Sequence, residues 1–259
     1  MIRNFRELYQ YRALLWSLTV RELRARYRGS ALGFLWTFLN PALLMGVYAL
    51  LFTVYMRQNI EDYTLFMFVG LLPWIWFSSS IVGGATTLSD RRDLLNKVRF
   101  PPQVLPATVV LTNGINFLLS LPLVFVLAAI DGVAPTWHAA LIPLLIAVQA
   151  LLTLALTYFI SALNVTFRDV QQVVTNLMTL GFFLTPILYP LDRVPEPLRT
   201  YALYLNPMAG IATAYQDLLY RHQLPSLRSL AVAAGASLVL LAAASAYFSH
   251  RREDLAELV

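Results

Sequence analysis

Charged side chains are absent from six long stretches of the chain, 29–56, 63–89, 100–130, 132–167, 170–191 and 229–250. Every formal charge lies between or beyond them. Each stretch meets the roughly 20 residues that a helix needs to cross a bilayer. A charge at the centre of such a helix costs about 2.5–3.5 kcal/mol, so its exclusion from all of these windows is a physical signal. The windows are apolar all round. A transmembrane β-barrel would instead alternate apolar and polar positions in segments of about ten residues. The pattern therefore predicts an all-α polytopic membrane protein with six transmembrane helices.

Three segments outside these windows carry a pattern of their own. Over residues 1–28, Arg3, Arg6, Gln10, Ser17, Arg21, Arg24 and Arg28 fall on one helical face, and Phe5, Leu8, Tyr9, Leu15, Trp16, Leu23 and Tyr27 fill much of the rest. Such an amphipathic helix lies in the headgroup region. It serves either as a plain anchor or as a lever moved by a partner. The loop SDRRDLLNKVRFPPQ (89–103) holds a short helix that Ser89 or Asp90 can cap and that Pro101 and Pro102 stop. Its apolar side, Leu94, Leu95 and Val98, reads as a docking ridge or as an ordinary loop. Residues 190–224 hold Pro190, Pro195, Pro197 and Pro207 among apolar runs too short to span, which predicts short re-entrant or surface helices.

Composition and charge add orientation. The chain is 58% hydrophobic and only 13% charged, against about 25% charged in a soluble domain. Fourteen basic residues, including Arg21, Arg24, Arg26, Arg28, Arg91, Arg92, Lys97, Arg99 and Arg168, fall on the side of the N-terminus, and five fall on the other. The positive-inside rule then places both termini in the cytoplasm. The net charge of +5 is thus an orientation signal and gives no case for nucleic acid. With no cysteine there is no disulfide framework. The first apolar run is too long for a cleaved signal peptide, so the N-terminus is expected to be retained.

Candidate chemistry is sparse. No GxxxxGK[ST] phosphate loop and no HExxH motif occurs, and His138, His222 and His250 stand singly at span ends. Asp90 and Asp93 form a DxxD spacing, but the intervening arginines neutralise it. No charge is available at midplane for proton or ion coupling. The spans offer rings instead: Trp36, Phe38, Tyr48, Phe52 and Tyr55 in the first, Phe66, Phe68, Trp74 and Trp76 in the second, Phe182, Phe183 and Tyr189 in the fifth. Some belong to interfacial belts. The remainder could form a stacking surface for sugar rings, whose C–H faces pack on aromatic faces.

Several runs occur together in order: RYRGSALGFLWTFLNP (26–41), KVRFPPQVLP (97–106), FRDV (167–170), TPILYP (185–190) and LNP (205–207). Their combination resembles the permease subunit of type-2 ABC exporters of polysaccharides, the group that moves O-antigens, capsules and teichoic acids. The resemblance spans nearly the whole chain and implies a single permease domain, 1–259, in the cytoplasmic membrane. It implies a transport subunit with no catalytic site, cofactor or metal of its own, paired with a second copy and with a separate cytoplasmic P-loop ATPase that binds ATP and Mg. Residues 1–28 would be the interface helix, with Arg21, Arg24, Arg26, Tyr27 and Arg28 at its end. Residues 88–98 would be the coupling helix, docking the ATPase through Asp90, Arg91, Arg92, Asp93, Leu94, Leu95, Lys97 and Val98. Residues 191–224 would be outer gate helices. Trp36, Phe38, Tyr48, Phe52, Phe66, Trp74, Trp76, Phe182, Phe183 and Tyr189 would line the conduit for a polyprenyl-diphosphate-linked glycan. The alternatives are a permease for another lipid or drug, a polyprenyl-phosphate transferase using Asp90 and Asp93, and an uncoupled channel.

Overall fold

Among the described residues the chain is built from helices alone. In hydrocarbon every backbone N–H and C=O must be paired, and a helix pairs them within its own segment. The computed structural model describes residues 2–57, 60–97, 100–134 and 136–250. Helices α1 (Ile2–Gln10) and α2 (Arg12–Tyr27) form an N-terminal arm. The single helix predicted there is bent at Tyr11 (φ −95°, ψ 20°), although Tyr11 N still donates to Glu7 O and Tyr11 O accepts from Leu15 N.

Five helical segments of the described residues are long and apolar enough to cross a membrane. The first joins a 3-10 turn (Gly33–Leu35), α3 (Trp36–Ala49) and a π-helical turn (Leu50–Tyr55). The second is α4 (Tyr63–Ala85). After the short α5 (Thr87–Asp90) and α6 (Arg92–Lys97) comes α7 (Val104–Ile130). A 3-10 turn (Trp137–Leu141) leads into α8 (Ile142–Thr166). The window at 170–191 produces only α9 (Val170–Leu184), 15 residues long. At 1.5 Å per residue that is about 22 Å, short of a hydrocarbon core of about 30 Å. Thr185 is extended (ψ 134°) because it precedes Pro186, and a residue before proline is pushed out of the α region. The chain then turns past the start of α4, where Tyr63 Oη donates to Leu188 O at 2.8 Å. Beyond it lie a 3-10 turn (Leu191–Arg193), α10 (Glu196–Leu205), α11 (Pro207–Leu219) and finally α12 (Leu227–His250).

Helix α4 is the hub, packed against α3, α7, α8, α9 and α11. Pro73 leaves a gap in its ladder, since proline has no N–H. That gap falls at Val69 O; separately, Gln149 of α8 donates to Pro73 O at 2.8 Å. The most extensive helix pair is α8 with α12. Ala233, Ser237, Leu241, Ala244 and Phe248 are buried at steps of three and four along α12, and small residues let the two backbones approach. The short α11 is buried and its start is capped by Asn206, whose Oδ1 accepts from Met208 N (3.1 Å) and Ala209 N (3.4 Å). Asn206 Nδ2 donates to Thr185 Oγ1 at 2.9 Å, tying this segment to the end of α9.

The arginine-rich segments gather at one end of the bundle. There Leu18 of α2 packs with Leu88 of α5, Val104 and Leu105 of α7, Ala162 of α8 and Phe248 of α12.

Candidate transport groove and docking surface

The elements predicted to dock a partner form a continuous unit at the arginine-rich end. Arg91 separates α5 from α6, so Ser89 and Asp90 close the preceding turn and do not cap α6. Instead Arg91 O accepts from Leu94 N (3.0 Å) and Leu95 N (3.2 Å). Leu94 and Leu95 are half-buried against the Leu18–Leu88 cluster, so this ridge faces the protein as well as solvent. Arg92 and Asp93 are exposed, and Asp90 and Arg92 share a polar pocket with Arg168. Lys97 is the last residue of α6, and Val98 lies outside the described residues. The arm is clamped to this unit. Arg91 pairs with Glu22 of α2, and Gln103, just before α7, donates to Glu7 of α1.

The predicted arm residues divide by face. Arg21, Arg24 and Arg28 line the outer stripe of α2 beside Trp16. Arg26, exposed as well, reaches α7, its Nη2 donating to Asn113 Oδ1 at 3.2 Å. Tyr27 is the last residue of α2.

The predicted rings divide as well. Tyr48 of α3, Trp74 of α4, and Phe182 and Phe183 of α9 line one open groove of about 670 Å³. Their ring centroids form a chain, with Tyr48–Phe182 at 5.6 Å, Trp74–Phe182 at 6.0 Å and Phe182–Phe183 at 5.3 Å. A Cβ at Gly181 would stand 3.1 Å from the Trp74 ring, so glycine is what lets α9 close on it. Ser78, Ser79, Thr175 and Thr179 add hydroxyls to the same walls. These polar members carried no mark in the ring pattern; the i, i+4 repeat Thr175–Thr179–Phe183 on α9 is the signal that could have revealed them.

The other rings sit elsewhere. Trp76 stacks on Phe117 at 5.2 Å and donates Nε1 to Val110 O at 3.1 Å, inside the helix bundle. Phe66 is fully buried between Tyr63 and Tyr220. Phe52 packs on Tyr63 at the far end. Phe38 meets Phe34 edge-on near the arm, where Trp36 donates Nε1 to Ser30 Oγ at 3.0 Å. Tyr189 donates its hydroxyl to Phe183 O at 2.9 Å, bracing the rim of the groove.

Among the described residues no three His, Asp or Glu side chains gather as a metal set. A multi-pass helical bundle with an open ring-lined groove and a braced surface at one end defines a membrane transport subunit. The family model described as "ABC-2 type transporter" matches residues 13–220, and the chain belongs to that family. It is 61% identical to the O-antigen export system permease protein RfbA of Myxococcus xanthus over 99% of both chains. A protein of the same name from Klebsiella pneumoniae is 35% identical over 79% of each chain. The polysialic acid transport protein KpsM of Escherichia coli is 24% identical over 75% of this chain and 76% of its own.

Proposed function

We propose that this chain is the permease subunit of an ATP-driven exporter that moves a polyprenyl-diphosphate-linked polysaccharide, of the O-antigen kind, across the cytoplasmic membrane. The observation that carries the reading is the groove between α3, α4 and α9. Rings there stack against sugar faces, and serine and threonine hydroxyls meet sugar hydroxyls, without any charge to hold the cargo in place. The names of the two RfbA relatives favour the same cargo class.

The remaining parts follow from that role. The sequence has no phosphate loop, so ATP and Mg belong to a separate cytoplasmic ATPase. It docks on α6 and the arm, and the Arg91–Glu22 pair passes its motion between them. Helix α9 with the turning 185–190 segment makes the sixth crossing, and α10 and α11 act as the outer gate. A second copy covers the apolar face of the first membrane segment, where Leu43, Val47, Leu50 and Val54 are exposed.

Deletion of the chain tests the reading directly. Lipid-linked glycan should accumulate on the cytoplasmic leaflet and vanish from the surface, and the tagged chain should copurify with a P-loop ATPase. Normal surface glycan in the deletion strain, or a chain that purifies alone with ATP trapped, would overturn it.

A further inference from the structure

Arg26 stands at the mouth of a second, smaller cavity of about 250 Å³, walled by α3, α4 and α7. Asn113 begins its polar lining nine residues into α7, which at 1.5 Å per residue is about 14 Å along the helix. The cavity thus lies in the half of the bundle nearest the arm. Asn113 is 6% exposed and Ser120 3% exposed. Polar groups so placed in hydrocarbon are costly unless they are hydrogen-bonded, and both are bonded within the cavity wall.

The lining has a division of labour. Pro41 of α3 lacks the N–H that would bond Thr37 O, and Ser120 Oγ donates to that carbonyl at 3.1 Å. Ser120 therefore holds the wall together. The Asn113 amide accepts from Arg26 through Oδ1, which fixes the guanidinium and leaves Nδ2 as the amide's donor. Asn40 adds a second carboxamide. No Asp or Glu lines the cavity. A cation held by an amide, with amide donors beside it, fits an anion with several oxygens, and a guanidinium fork matches phosphate. Ile75 and Ser79 line both this cavity and the ring-lined groove, so the two spaces share a wall.

The geometry points to a phosphoryl subsite: Arg26, Asn113 and Asn40 hold the phosphate of a lipid-linked substrate while its first sugars enter the groove across Ser79. This rests on the reading of the chain as a lipid-linked glycan exporter. Anionic phospholipid carries the same chemistry, so the test must tell the two apart.

The full chain with its ATPase, in nanodiscs containing phosphatidylglycerol, is titrated with undecaprenyl diphosphate and with uncharged undecaprenol. The wild type should bind the diphosphate and not the alcohol. Arg26→Gln should weaken diphosphate binding about tenfold, as expected for losing one charge-assisted contact. Arg26→Lys should fall between, and Arg228→Gln at the far end should match the wild type. Unchanged diphosphate affinity in Arg26→Gln, with copurified ATPase showing that it has folded, would overturn the subsite. So would loss of bound phosphatidylglycerol alone, which would make the cavity a phospholipid seat. If the wild type binds no diphosphate, the exporter reading fails with it.

Discussion

The first two membrane segments, Gly33–Tyr55 and Tyr63–Ala85, are equal in length and nearly equal in mean hydropathy, yet 11% of one apolar window is buried and 78% of the other. Each carries one proline and several rings. Their fates differ because hydrocarbon is as good a neighbour for leucine as another helix is, so apolarity does not choose the hub. Close approach does. A Cβ at Gly84 of α4 would lie 2.2 Å from Thr157 Cγ2, and one at Gly70 would lie 2.9 Å from Gln216 Nε2. A Cβ at Gly46 of α3 would meet nothing within 4 Å. The hub is the helix whose glycines are used.

The comparison breaks most severely if the core ring is removed. Trp76→Ala should destabilise the bundle by about 3–5 kcal/mol, the usual cost of emptying a buried aromatic site. It also removes the second donor to Val110 O, which keeps its ladder bond within α7. Thermal unfolding in detergent would show this as a large drop in midpoint, and an unshifted midpoint would place Trp76 outside the core. Next comes Gly84→Val, which forces the added carbons against Thr157 and should cost about 1–3 kcal/mol or more by overpacking. Gly46→Ala on α3 should leave the midpoint in place. Equal shifts for the two would remove the distinction between the helices. Gln149→Leu is milder, because polar contacts between membrane helices average about 0.6 kcal/mol. Its loss should show chiefly as faster hydrogen exchange around Phe77, where Pro73 O sits in the helix ladder.

Charge-free windows announced the membrane helices, because a charge within a span is costly enough that its exclusion marks every position. The faces left weaker marks. Trp74 and Trp76 are two residues apart on one helix, so they must diverge by about 200°. That much is legible; which one meets the groove depends on whether α9 or Phe117 of α7 lies opposite. Arg24 and Arg26 repeat the case, one outward and one onto Asn113. The shortness of α9 was written in the Thr185–Pro186 pair but hidden by the apolar run that continues through Leu188. The break at Arg91 had no marker, and the pairing of Arg91 with Glu22 joins residues 69 apart.

The smallest effect on stability is expected on the first membrane segment, and it sharpens the comparison most. Leu43, Val47, Leu50 and Val54 recur at steps of four, three and four and are 55%, 63%, 50% and 56% exposed. Val47 and Leu50 are half or more exposed, so alanine there removes little packing within the chain, and the unfolding midpoint should stay within the roughly ±0.5 kcal/mol typical of surface changes. If a second copy seats on this stripe, the same double variant should shift the detergent-solubilised complex toward single chains, read by light scattering. The two readouts separate the possibilities. A lowered midpoint with unchanged mass would mean that this segment packs within its own chain. A lowered mass with an unchanged midpoint would mean that it is a hub after all, but for the assembly, with its packing surface completed between chains.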